Sequence, residues 1–190
     1  YAPVFPERSL DDPALAPALA AVEMLLKGHE PYPALAVDRR WTLVRANRPV
    51  MALLGLVADE TLLAPPVNVL TLTLAPGGLA PHIVNFAAWR AHVLERLLQQ
   101  VSISGDQALA RLHAALMRLP GPSAPQEGDP AALLGGIAVP LVLRTPAGVL
   151  SLISTTTVFG TPVDVTLSEL ALETFFPADA ATASALKDMA

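Results

Sequence analysis

Residues 149–159 read Val-Leu-Ser-Leu-Ile-Ser-Thr-Thr-Thr-Val-Phe, a run without proline, glycine or charge. β-Branched side chains are stiff in a helix and pack well on a pleated surface, so this run predicts a strand. Gly160-Thr161-Pro162 follows as a turn, and a second strand is predicted over Leu167–Phe176. In that second run Leu170, Leu172, Thr174 and Phe176 alternate with Glu169, Ala171, Glu173 and Phe175, so each set lines one face. The stretch holds no nucleophile beside a base, no metal-ligand spacing and no phosphate loop.

The segments upstream must cover this strand pair. Residues 1–12 resemble a linker. Leu15, Leu19, Val22 and Leu26 recur at helical spacing and predict a helix over Pro13–Lys27 that Gly28 ends. Pro31 and Pro33 force an extended path, after which Ala34–Val37 and Trp41–Ala46 form a hairpin around Asp38-Arg39-Arg40. Asn47 caps a short helix with Pro49 in its first turn, running to about Leu54. Residues 55–67 are loop, and Asn68–Leu74 fits either a short helix or a strand. The longest helix is predicted over Pro81–Val101. Asp106–Leu119 is another, with Leu109, Leu112, Leu116 and Leu119 as its packing seam.

Residues 120–136 hold four prolines and four glycines and predict a mobile loop. Ile137–Thr145 adds a strand before the long pair, and Asp179 caps a terminal helix. The order is two strands, then helices, then three strands. An α+β fold satisfies it, with a five-stranded antiparallel sheet, helices inserted after strand 2 and an N-terminal helix. Residues 1–28 form the linker and N-terminal helix, and residues 29–190 form one domain.

Charged residues make up only 15% of the chain and apolar ones 53%, with a mean hydropathy of +0.49. That excess of apolar surface belongs in a core, an oligomer interface or a ligand cavity. Pro, Arg or His interrupts every candidate before it reaches the ~18 apolar residues of a membrane span, so no membrane partner is expected. The net charge is −5 and the 12 Lys and Arg are scattered, so this segment itself should not bind DNA. The chain has no Cys, which excludes disulfides and thiolate chemistry and fits a cytoplasmic setting. It begins at Tyr1 with no secretory pattern, as expected of a piece of a longer protein.

Arg90 stands out on the predicted long helix. Ile83, Phe86, Ala87, Leu94, Leu97 and Val101 form one stripe, and Arg90 falls inside it. A guanidinium on an apolar face needs a partner. A ligand carboxylate would suit its fork, since both oxygens can be bound. The alternatives are an internal pair with Glu173 or another acid, or snorkelling to the helix edge. His82, Asn85, Trp89 and His92 form a second stripe, either a polar rim with an aromatic lid or a half-exposed face against the 120–136 loop.

The two histidines of that stripe are ten residues apart, so a shared metal is not expected, and nothing supports a haem ligand among the four histidines. Tyr32 either lends its hydroxyl to a pocket or packs. Thr156, with its neighbours Ser154, Thr155 and Thr157, either contacts a ligand or serves as a strand former. Glu169 and Glu173 share a strand face without an acid/base partner. No hydrolase elbow, zinc-protease motif, Walker loop or dinucleotide fingerprint occurs, so no enzyme is expected.

Four segments together carry a family likeness: His29-Glu-Pro-Tyr-Pro-Ala-Leu-Ala-Val-Asp38, Trp41-Thr-Leu-Val-Arg-Ala-Asn47, Leu79-Ala-Pro-His-Ile-Val-Asn-Phe-Ala-Ala-Trp-Arg90, and the block from Phe159-Gly-Thr-Pro to Phe175-Phe-Pro-Ala-Asp179. In this order they resemble the ligand-binding domain of MmyB-like transcription regulators, from about residue 29 to 187. The resemblance implies a PAS-like domain behind an N-terminal helix-turn-helix (XRE-type), in a bacterial regulator with a fatty-acid-like ligand in its pocket. The helix-turn-helix does not occur in these residues, so DNA binding is implied only through such a further domain.

The expected partner is therefore a small amphipathic effector, with its tail among Leu94, Leu152 and Leu172 and its head at Arg90, joined by Asn85 or His82. No cofactor is expected, and a homodimer is. The competing readings are a ligand-free PAS-like dimerisation module and a flavin- or haem-binding sensor.

Overall fold

The computed structural model describes residues 16–122, 138–158 and 170–189. The predicted linker, the proline- and glycine-rich stretch after Pro122, and the Gly160-Thr161-Pro162 turn lie outside them. Helix α1 spans Ala16–Gly28, and the hairpin β1 (Ala34–Val37) and β2 (Leu43–Ala46) follows. Then come α2 (Arg48–Leu54), α3 (Val69–Leu74), α4 (Phe86–Ser104) and α5 (Gln107–Arg118). Strands β3 (Leu141–Thr145), β4 (Gly148–Val158) and β5 (Ala171–Pro177), and helix α6 (Ala180–Asp188), complete the described chain.

The five strands form one sheet in the order β2-β1-β5-β4-β3, each neighbour antiparallel. This is the PAS-like α+β arrangement expected from the order of elements. The first and last strands meet at its centre, with Leu35 opposite Glu173 and Val37 opposite Ala171. On the other side of β5, Thr156 of β4 also stands opposite Glu173.

Local chemistry explains most boundaries. Asn47, Asn68, Asp106 and Asp179 each accept a backbone N–H from the first turn of the helix they precede, satisfying donors that the helix cannot. The Asn68 cap resolves the ambiguous segment as a helix. Gly105 closes α4 at φ 65°, a conformation that costs glycine little. Pro140 has no N–H to give a ladder, and β3 starts one residue after it.

The long helix departs from its predicted span. It starts at Phe86, not Pro81, because the preceding residues bond elsewhere. Ala80–His82 makes a single 3-10 turn, Ile83 bridges to Leu143, and the Val84 N–H donates to the Val142 carbonyl. The chain leaves β3's edge before it turns into α4.

Helices pack on both faces of the sheet, but the outer face stays open at Thr155, Thr157 and Phe176. The inner face packs Leu143, Leu150 and Leu152, all without exposure, against α4 and the short helices. The outer face packs Ala34, Ala36, Val44 and Leu172 against Val22 and Leu26 of α1. The alternation predicted for the last strand holds. Leu172 lies in the outer cluster, while Ala171 and Phe175 pack on the inner one.

Candidate functional site: an apolar cavity under the α4 helix

A narrow cavity of about 80 Å³ lies between the inner sheet face and the helices. Leu35, Leu141, Leu143, Leu152 and Phe175 supply the sheet side; Val50 and Leu53 of α2, Val69 and Leu72 of α3, and Trp89 of α4 supply the opposite wall. The sequence builds it by period. Alternate residues of β1, β3, β4 and β5 point inward, while the short helices α2 and α3 each turn one leucine- or valine-rich face down.

Trp89 is the chemically distinct member of this wall. It is 6% exposed, and its indole Nε1 is the one buried side-chain nitrogen or oxygen among the described residues without a hydrogen-bond partner. Its ring leans on His92, with centroids 5.5 Å apart. Thr73 also lines the cavity, but its hydroxyl donates to the Val69 carbonyl at 2.6 Å.

The other expected site residues are distributed around this cavity rather than gathered in it. Leu152 and Trp89 line it. The Arg90 guanidinium instead donates to the Met117 carbonyl at 2.7 Å and the Leu116 carbonyl at 3.3 Å, closing the C-terminus of α5. Cations suit that end of a helix. Ile83, the first residue of the expected stripe, lies outside the helix. Counted within α4, the buried residues are Phe86, Trp89, Val93 and Leu97, so Arg90 sits one step round, toward α5. Leu94 lies beside it in a shallow groove with Met117.

Asn85 is 1% exposed, and both ends of its amide are used. Nδ2 donates to the Pro140 carbonyl at 2.8 Å, and Oδ1 accepts from the Val142 N–H at 3.1 Å. His82 holds the Leu56 carbonyl at 3.1 Å through Nε2. Tyr32 is half-buried, with its ring edge-on to His29. Leu172 faces α1 across the sheet.

Thr156 belongs to a polar cluster that pattern reading missed. Its hydroxyl donates to Glu173 Oε1 at 2.6 Å and accepts from Arg96, which also grips Glu173 at 2.6 and 3.2 Å. Arg96 in turn lies over the Trp41 ring, 4.9 Å from its centroid, and the Trp41 indole N–H donates to Gln100 Oε1 at 2.8 Å. The i, i+4 pair Arg96 and Gln100 on one helix, with an isolated Trp at a hairpin, was the available signal, but nothing in it pointed across to Glu173. No described group of histidines and carboxylates could hold a metal ion. No described helix is long and apolar enough to cross a membrane.

Sheet order, helical cover and apolar cavity together define a PAS-like domain. The chain belongs to the MmyB-like transcription regulator ligand binding domain family, which it matches over residues 18–189. No curated protein matches it.

Proposed function

We propose that this domain senses an amphipathic small molecule, whose apolar part enters the cavity between sheet and helices, on behalf of a helix-turn-helix regulator. The observation that carries this reading is the cavity itself, apolar almost throughout and set in a domain whose family binds ligands. The family resemblance points to a fatty-acid-like effector, and no cofactor is needed. At about 80 Å³ the cavity is well below the roughly 300 Å³ at which ordinary ligand sites begin, so an effector has to displace side chains. The short helices α2 and α3, of seven and six residues, are the cheapest parts to move. Binding then biases the domain between a closed and an open form, and a twofold homodimer would transmit the change to its DNA-binding heads. The exposed Met24 and Leu25 of α1 are the contact proposed for that dimer.

The small volume also favours a second reading, a dimerisation module whose pocket stays closed. Denaturing extraction with mass spectrometry, followed by thermal unfolding with added medium- and long-chain amphiphiles, separates the two. An effector at 100 times its Kd adds about 2.7 kcal/mol, which raises Tm by roughly 5–10 °C in a domain of this size. No extracted molecule and no Tm change with any amphiphile would establish the closed module.

A further inference from the structure

We propose that the polar end of the effector is an uncharged hydrogen-bond acceptor, such as a ketone, ester or lactone carbonyl, held by the indole N–H of Trp89. This rests on the reading of the cavity as the effector site and specifies the chemistry that site selects.

A buried N–H without a partner is costly, and native proteins rarely leave one. Trp89 lines the apolar cavity, and its Nε1 is covered in the closed form, so an effector that displaces the neighbouring side chains can supply the acceptor. The indole is a donor only and carries no charge. A carboxylate placed there would lose its water and gain one neutral hydrogen bond in return, an unfavourable exchange.

The nearby cations are already engaged. Arg90 donates to the last carbonyls of α5, and Arg96 is held by Glu173 and Thr156. Neither lines the cavity. His92, whose ring leans on Trp89, is held below its usual pKa, first by partial burial and then by Arg96, and so is a poor counter-charge at neutral pH. A carbonyl oxygen needs no counter-ion, and an alkyl chain attached to it matches the leucine- and valine-lined remainder.

The test uses 2-octanone, octanoate and n-octane with the ¹⁵N-labelled chain at pH 8. The protein has two tryptophans, and Trp89→Phe assigns their indole signals. Binding of 2-octanone should move the Trp89 indole proton downfield and leave that of Trp41, already bonded to Gln100, in place. The ketone should bind more tightly than octanoate. Trp89→Phe should weaken ketone binding about five-fold, the worth of one neutral hydrogen bond, while octane binding stays within two-fold.

If octanoate binds more tightly than the ketone, or the ketone binds without moving the Trp89 signal, the acceptor assignment is wrong while the effector reading stands. If none of the three perturbs any residue of the cavity wall, the effector reading itself falls. The wild-type signal decides the matter even where Trp89→Phe fails to fold.

Discussion

Arg96 of α4 and Glu173 of β5 form a two-point ion pair beneath the helix, with the shorter contact at 2.6 Å and the carboxylate buried. Glu173 sits opposite β1 on one side and Thr156 of β4 on the other, so the pair pins the helix over the middle of the sheet. Removing one partner leaves a buried charge unpaired, whereas removing both does not. Arg96→Met should therefore lose about 3 kcal/mol. The double variant Arg96→Met/Glu173→Leu should recover a large part of that loss. Urea midpoints with unchanged m-values would measure both; a double variant no more stable than Arg96→Met would refute the account.

Arg90 offers a contrast between fold and ligand. Its bonds to the Leu116 and Met117 carbonyls close α5, so Arg90→Ala should cost about 1–2 kcal/mol of stability, with Arg90→Lys retaining part of it. Binding of a fatty acid and of the matching fatty alcohol should weaken equally, if at all. Selective loss of the acid would instead place the guanidinium at a ligand head.

Asn85 joins the start of α4 to β3. Asn85→Ala strands the Pro140 carbonyl and the Val142 N–H in the interior, at a cost of about 2–3 kcal/mol. Asn85→Asp keeps the acceptor but sets a carboxylate against the Pro140 carbonyl, and should be at least as damaging. A change under about 0.5 kcal/mol for Asn85→Ala, of the size seen at ordinary surface sites, would contradict this role.

His92 sets a pH dependence. Partial burial, aided by Arg96 and opposed by Glu95 and Glu173, lowers its pKa below the ordinary 6.5. The unfolded chain therefore takes up this proton at higher pH than the folded one. The contribution is fully present above about pH 6.5 and is lost as pH falls through the lowered folded value. His92→Gln should flatten the fall in unfolding midpoint between about pH 7 and pH 5. An unaltered slope would assign the acid sensitivity to other groups.

Much of the fold is legible along the chain because its signals are local. Asn47, Asn68, Asp106 and Asp179 mark helix starts through side chains that reach two or three residues on. The alternation through Leu172 and Glu173 separates the two faces of β5. Which face the pocket adjoins is not local information. Leu172 was expected among the ligand contacts and packs under α1, because nothing in its own strand says which helix covers which side. The phase of α4 is hidden from the sequence for a related reason. Ile83 has the residue type of a helix stripe, yet its bridge to Leu143 is a partnership 60 residues away. The polar links of Trp41 to Gln100 and of Arg96 to Glu173 likewise join segments distant in sequence.

The β1–β5 pairing has a consequence for how the protein is made. Within this domain, Ala34–Val37 is synthesised long before its inner neighbour, Ala171–Pro177. On the ribosome the β1–β2 hairpin must wait, with the β1 edge unpaired, until nearly the whole domain has emerged. A truncation ending just before β5 therefore leaves two hairpins, β1–β2 and β3–β4, and their helices, without the strand that joins them. A nascent chain stalled there is exposed to proteases and to edge-to-edge association.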